Sequence, residues 1–485
     1  MHIPTDTTEA NDRPSTIGRR RVLTLGALGL AAAVPMAGAA PAPAEAVTAD
    51  PDDTARKVWW LDPEVAGPSF TPAERRDHIR GVLAEIAAAG GGTLEWPGVE
   101  FVVDRPSGTD TIWATVPTNT TIRGRAGSAL TLDPLTAGST VGMIMLQFGQ
   151  PETDTRFIHV DSLTVNCNES VIGGGSIWAV GSRRETTDLS RVDDIQVTRC
   201  TFRDCRVAVS ATQSTPQTDR GAGQHRRWRI EGCYFEKNSN RMIELSQVDG
   251  ALISGNFFVD ATTAVHLISF TRNVTVTGNV GFVIERGVMI NFGVTDCIIT
   301  NNVFRFASGV AVSTGSLVFH SEPNPTTFTV QRLRFANNFW GCPTAGSTRR
   351  SLTTSNTPAA VSITRQDISF NGDTFEGDVV VAPGAARAAG HVRGWTFEGC
   401  SFAAAFATLA PADFDLTDFD FTNCRFLSSA PHTFLSARTR FRSCTWTAGV
   451  SVAATATQQL FDSNVWPVAL ADAGTGTQIG TNFVQ

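Results

Sequence analysis

Lysine and tyrosine are nearly missing from these 485 residues: lysine stands only at Lys57 and Lys237, and tyrosine only at Tyr234. Positive charge therefore rests on arginine, and chemistry that relies on a lysine or tyrosine base has almost nothing to draw on. Long apolar runs are scarce too. Beyond the first 46 residues no stretch offers the roughly 20 uncharged apolar residues of a spanning helix, so no integral membrane span is expected in the mature chain. Charged residues make up 18% and the net charge is -7, which provides neither the basic surface of a nucleic-acid binder nor a charged disordered tail. The nine cysteines show no zinc-ligand spacing.

What is present begins with a targeting segment. In "GRRRVLTLGALGLAAAVPMAGAAPAPAEA", Arg19, Arg20 and Arg21 precede an apolar run from Val22 to Ala33, and Ala-x-Ala options end near Ala46. This resembles a twin-arginine export signal, which implies secretion and a mature chain starting near Val47.

The rest is repetitive. "ALISGN", "NVTVTGN" and "CIITNN" end at Asn256, Asn279 and Asn302, and the same marker position recurs at Cys200, Cys233, Asn338, Asp373, Cys400, Cys424, Cys444 and Asn464. Two residues after the marker stands an aromatic in ten of eleven copies, Gly281 being the exception. "LTVNCN", ending at Asn168, reads as a weaker earlier copy. Three and five residues before the marker the chain is apolar, as at Val274 and Val276, which is the period of a strand with one buried face. Asn suits a corner because it tolerates the left-handed region, and Asn side chains stacked about 4.8 Å apart can bond along a ladder. No single coil buries its apolar face alone, so the copies must stack.

The pattern resembles the right-handed parallel β-helix of the pectin-lyase-like superfamily. The expected fold is an all-β solenoid, a single-stranded right-handed parallel β-helix of about a dozen coils over residues 93–485. A cap precedes it over residues 47–92. In "FTPAERRDHIRGVLAEIAAAGGGTLEWPG", Thr71 is an N-cap with Glu74 three residues on, Pro72 opens the helix and Gly90 closes it. Five cysteines sit at the marker and Cys297 faces inward, so the thiols are expected buried and free, in keeping with export of an already folded chain.

The working surface of such a stack is expected over the compact coils ending at Asn256, Asn279 and Asn302, spaced 23 residues apart. Longer inserts, "ATQSTPQTDRGAGQHRRW", "HSEPNPTTFTVQ" and "STRRSLTTSNTPAA", would wall it. A second strand runs through each coil: "RMIELS", "AVHLIS", "GVMINF" and "GVAVST". With Ile243, Leu245, Val265, Leu267, Val288 and Ile290 inward, Glu244, His266 and Met289 form one outward column. Glu244 and His266 are the candidate catalytic pair, because a carboxylate beside an imidazole tunes acid or base strength; an ordinary exposed cross-strand pair is the competing reading. Arg241, Lys237, Asp260, Arg272, Glu285 and Arg286 are the candidate substrate-binding residues. "DFDLTDFD", Asp413 to Asp420, looks calcium-like, yet its alternation with Phe414, Leu416 and Phe419 reads as a solvated face, so no metal or cofactor is expected. "QHRRWR", Gln224 to Arg229, is either an anion grip or a basic lead into a strand.

The superfamily resemblance implies an exported enzyme that cleaves a polysaccharide, a lyase or a glycoside hydrolase. A lyase would need an Arg or His base here, and a hydrolase two carboxylates, such as Glu244 with Asp260 or Glu285. "MIELSQVDGALISGN" also resembles the segment of inulin fructotransferases that carries a catalytic glutamate. That resemblance implies Glu244 in this role, a fructan substrate and a homotrimer, although the acidic partner eleven residues earlier is Cys233 here. The third alternative is a non-enzymatic β-helix that binds glycans or serves as a surface protein.

Overall fold

The β-branched phrases form strands that pair one coil apart and in parallel. Ala251, Leu252 and Ile253 stand against Val274, Thr275 and Val276, and Val276 in turn against Ile299. In this computed structural model the described residues are 57–105, 111–134, 142–172, 176–184, 188, 190–213, 225–307, 315–320, 328–342, 350–354, 363–381, 390–409, 414–452, 456–466, 471–472 and 474–484. The leader lies outside them, as do most of the three expected walls and residues 309–314 of "GVAVST". Among the described residues the strands gather into a 17-stranded and a 25-stranded sheet. Each coil adds one strand to the first sheet, turns at the marker and enters the second. The second-sheet strands Tyr234–Ser246, Phe257–Ile268 and Val280–Ile290 bend midway, where the register slips between Glu236 and Ile243 and again between Val259 and Thr263. That bend gives each coil a third face.

The residues two past the marker line the interior. Phe235 and Phe258 stack at 4.9 Å, Phe402 and Phe426 at 4.9 Å, and Trp446 and Trp466 at 5.1 Å, and a buried ring contributes about 2–3 kcal/mol. Gly281 leaves no hole, since a Cβ there would lie 2.7 Å from Cδ1 of Phe304. At the open end the helix Pro72–Ala88 buries Ile79, Leu83 and Ile86. Its capping box is formed as expected, with Thr71 N donating to Glu74 at 2.7 Å and Glu74 N to Thr71 at 3.2 Å. All nine cysteines are free and buried.

The corner differs from expectation in one respect. The left-handed residue is the one before the marker: Gly255, Gly278, Asn301 and Asn337 have φ of 62°, 64°, 57° and 55°. This frees the marker side chain to turn inward, where Asn256, Asn279, Asn302 and Asn338 are buried and each Nδ2 donates to the next Oδ1 at 2.8–2.9 Å, ending on Asp373. The earlier copy also shifts. Strand Thr164–Asn166 pairs with Thr201–Arg203, so Leu163, and not Asn168, occupies the marker, and Ser162 takes the left-handed turn.

Asn279 shows what the ladder contributes. Its amide donates to Ile253 O at 3.0 Å and to Asn302 at 2.9 Å, and its oxygen accepts from Asn256 N at 3.0 Å and Asn256 Nδ2 at 2.9 Å. Asn279→Ala orphans several buried groups at once and is expected to cost about 3 kcal/mol. A lowered urea midpoint at unchanged slope checks this.

Candidate active site

The expected outward column is present in register. Glu244 pairs with His266 and His266 with Met289, flanked inward by Ile243, Val265 and Val288 on one side and Leu245, Leu267 and Ile290 on the other. Upstream the column continues to Ser210. Downstream the rung beside Met289 is Val318, on strand Gly315–Phe319, so this strand, rather than "GVAVST", supplies the next coil's floor.

Glu244 keeps 12% of its side chain exposed. The Arg241 guanidinium, one helical-type spacing earlier but here on the same strand, closes on its carboxylate, while His266 Nδ1 lies 3.6 Å from it and the ring is fully buried. Burial alone would raise the Glu244 pKa, but the His266 N–H and the Arg241 charge outweigh it and hold it at about 2. Burial, helped by the positive charge of Arg241, takes His266 down to about 4. At neutral pH the pair is thus a carboxylate and a neutral imidazole. A neutral ring whose Nδ1–H faces Glu244 presents Nε2 as a lone pair.

Three further groups complete the cluster. Arg286, a quarter exposed, has Nη1 2.9 Å from Glu285 and 3.4 Å from the Thr263 hydroxyl. His320 directly follows Phe319 and is held at about 4 by burial and by the charges of Arg286, Arg365 and Arg241. Arg365 is only 1% exposed, and burial lowers its pKa to about 10. Gln147 Nε2, Ser246 Oγ and Asn291 Nδ2 are buried donors with no partner among the described residues; Gln147 lies in line with the column through Gly181 and Ser210.

Of the eight residues named from sequence, Glu244, His266, Arg241, Glu285 and Arg286 come together. Lys237 does not: its Nζ is 2.8 Å from Ser170 Oγ and 3.6 Å from Asp204, in a separate open cleft of about 450 Å³. Asp260 is an exposed left-handed corner residue with φ 52°. Arg272 pairs with Asp249 at 3.3 Å on the first sheet. His320 and Arg365 were missed, for they arrive from later coils. The basic run is largely compensated, with Arg227 on Asp194 at 2.5 and 2.8 Å and Arg229 on Glu231. In "DFDLTDFD", Asp418 binds Arg438 at 2.7 and 2.8 Å and Phe419 and Phe421 are buried, as a solvated strand face requires.

Residues 188–357 match the family model described as right handed beta helix region. The chain is a right-handed parallel β-helix protein. An E. coli bacteriophage HK620 tailspike mutant, in complex with a pentasaccharide, is similar at TM-score 0.51 and 12% identity, covering 87% of this chain and 80% of that one. The Azotobacter vinelandii mannuronan C-5 epimerase A-module is similar at TM-score 0.48 and 11% identity, over 84% and 95%. At such identity the likeness to the tailspike is one of fold alone. No curated protein matches this sequence. On this β-helix the Glu244 column thus lies on an outer face of the coil, beside the ends of the short turns that follow Ser246, Ile268 and Ile290.

Proposed function

We propose that this β-helix protein is an exported enzyme that cleaves a uronate-bearing polysaccharide by β-elimination. The observation that carries the reading is the charge state of the cluster: one carboxylate held ionised, two imidazoles held neutral, and the guanidinium groups of Arg241 and Arg286 partly exposed beside them. Arg241 and Arg286 would meet the uronate carboxylate, acidify the C5 proton and stabilise the developing enediolate. His320, the less buried imidazole, would take that proton. The C4–O bond then breaks, a C4=C5 double bond forms, and the departing oxygen takes a proton from solvent. Glu244 would hold the Arg241 fork, and His266, beneath it, would hold Glu244. These are positioning roles.

A hydrolase needs a second carboxylate kept protonated, and the other carboxylate of the cluster, Glu285, is instead engaged by the Arg286 guanidinium at 2.9 Å. A carboxylate held at about 2 does suit a nucleophile, which favours a fructotransferase-type or retaining transfer as the second reading. Export by the N-terminal signal and release of the mature chain near Val47 belong to the same set of proposals, whereas a homotrimer goes with the second, fructotransferase-type reading alone. No helix among the described residues is long and apolar enough to cross a membrane.

The assay is the mature protein against uronic, neutral and fructan polysaccharides, following both the ultraviolet absorbance of unsaturated uronates and new reducing ends. Absorbance supports elimination. Reducing ends or cyclic products alone favour the second reading, and binding without turnover favours a non-enzymatic glycan binder. Elimination also has a pH signature. Its base must be neutral, so kcat/KM is expected to climb as pH rises through about 4, the value of His320, and to level off about two units higher. A fall across that range would remove the imidazole from its role.

A further inference from the structure

One face of the stack is apolar on the outside and is not used by the active site. After each marker the chain runs across the second sheet before its bend, and the residues one and three past the marker point outward, on either side of the buried ring column. Along four coils the first row reads Tyr234, Phe257, Val280, Val303 and the second reads Glu236, Val259, Phe282, Arg305. Phe257 and Phe282 are 37% and 42% exposed, among the most exposed large apolar residues of the described chain, and Tyr234 stacks on Phe257 at 5.9 Å.

The order of sizes and charges in these rows is self-complementary. The first row runs large, large, small, small, and the second runs acid, small, large, base. A twofold axis lying along the strands, midway between the coils of Asn256 and Asn279, would bring the face against its own copy with the coil order reversed and each row over itself. Tyr234 would then face the partner's Val303, Phe257 the partner's Val280, Phe282 the partner's Val259, and Glu236 the partner's Arg305. Every ring meets a smaller side chain and every charge its opposite. The next coils outward continue the match, with Thr201 facing the partner's Phe339 and Arg203 facing the partner's Gly341.

We infer that this face docks a second copy of the chain, giving an antiparallel pair of β-helices with isologous symmetry. A parallel arrangement, with the axis along the stack, brings coils of equal height together with the two rows exchanged; it sets Glu236 against Tyr234 and Arg305 against Val303 and so forfeits the charge match. The charged ends are available for the contact. Glu236 is 42% exposed beside Arg203 at 3.2 Å, and the exposed Arg305 has its guanidinium carbon 4.5 Å from the centre of the Phe339 ring, a placement that leaves N–H groups for a carboxylate. Flat, regularly spaced sheet faces pack about 10 Å apart with interdigitated side chains. Six coils of a short strand give a patch of roughly 30 Å by 10 Å, well below the ~800 Å² per partner of a standard interface, so the pair should be weak and concentration-dependent, near the micromolar range.

Sedimentation velocity of the mature protein over about 1–100 µM tests this. The expected result is a monomer–dimer equilibrium that shifts with concentration. Glu236→Arg and Arg305→Glu, each alone, should weaken it about tenfold or more by opposing like charges, and the double reversal should recover most of the loss, because each variant side chain then meets its opposite across the axis. Both residues are exposed, so the single variants keep the fold, and recovery in the double variant excludes misfolding as the cause of the loss. A monomer at every concentration, a trimer such as the fructotransferase resemblance implies, or two reversals whose losses simply add would each overturn the antiparallel pair.

Discussion

Glutamine at position 244 is expected to lower kcat on a uronate polysaccharide by about a hundredfold to a thousandfold while leaving the β-helix folded. The side chain keeps its shape, and only the charge that fixes Arg241 is removed. The ion pair between Arg241 and residue 244 is then lost, and the guanidinium that should meet the substrate carboxylate is held less tightly in place. The pH profile separates the two imidazoles. Glu244 raises the pKa of His266, whereas His320 takes its shift from burial, Arg286, Arg365 and Arg241. If His320 is the base, the acid limb of the Glu244→Gln variant stays near pH 4 at reduced height. If His266 is the base, losing the carboxylate moves that limb to lower pH. Initial rates from the unsaturated-uronate absorbance between about pH 3 and 8 distinguish the two. Complete loss of turnover in Glu244→Ala, restored by added formate, would instead make Glu244 a nucleophile and sink the elimination reading.

How much of this site could be read from sequence follows from how a coil spends its residues. The Glu244, His266 and Met289 column was legible because it needed only a period of two and an identical inward set on each coil, and adjacent coils are hydrogen-bonded rung to rung. Nearness in sequence was a poor guide to the rest. A strand of five or six residues is followed by a corner, so Lys237, seven residues before Glu244, and Arg272, six after His266, have each already turned onto another face. Residues a full coil or more away are the true neighbours: His320 reaches the cluster from 54 residues beyond His266, through coils whose lengths are irregular. The corner was misplaced by one residue for a similar reason. Gly255 and Gly278 already supplied the left-handed turn, which left the following Asn free for a buried role that composition alone does not separate from a turn role.

The end of the Asn ladder carries the largest expected effect on stability. Asp373 is fully buried and its Oδ1 accepts from Asn338 N at 3.1 Å, Asn338 Nδ2 at 2.8 Å and Trp340 Nε1 at 3.2 Å, while its Oδ2 has no partner among the described residues. Burial outweighs those three donors and pushes its pKa up from the ordinary 3.8 to about 7. The folded state therefore holds a proton that the unfolded chain releases between those values, so this group's contribution is fully favourable below pH 3.8 and is lost as pH rises through about 7. The gap corresponds to about 4 kcal/mol. Asparagine at the same place carries its own donor. Each ladder Asn gives one Nδ2 hydrogen to the carbonyl three residues before the preceding marker, as Asn338 does to Ile299 O at 2.8 Å and Asn302 to Val276 O at 2.9 Å, and the corresponding acceptor here is Phe335 O. Asp373→Asn should therefore match the parent protein in urea midpoint near pH 4 and exceed it increasingly up to pH 8, by about 3–4 kcal/mol. Comparing the two proteins at each pH cancels the opposite trend of carboxylates held low by arginine, such as Asp296 and Asp418. A constant difference across that range would mean that Asp373 does not titrate in the fold, and a less stable Asn variant would mean that the ladder ends on a carboxylate by necessity.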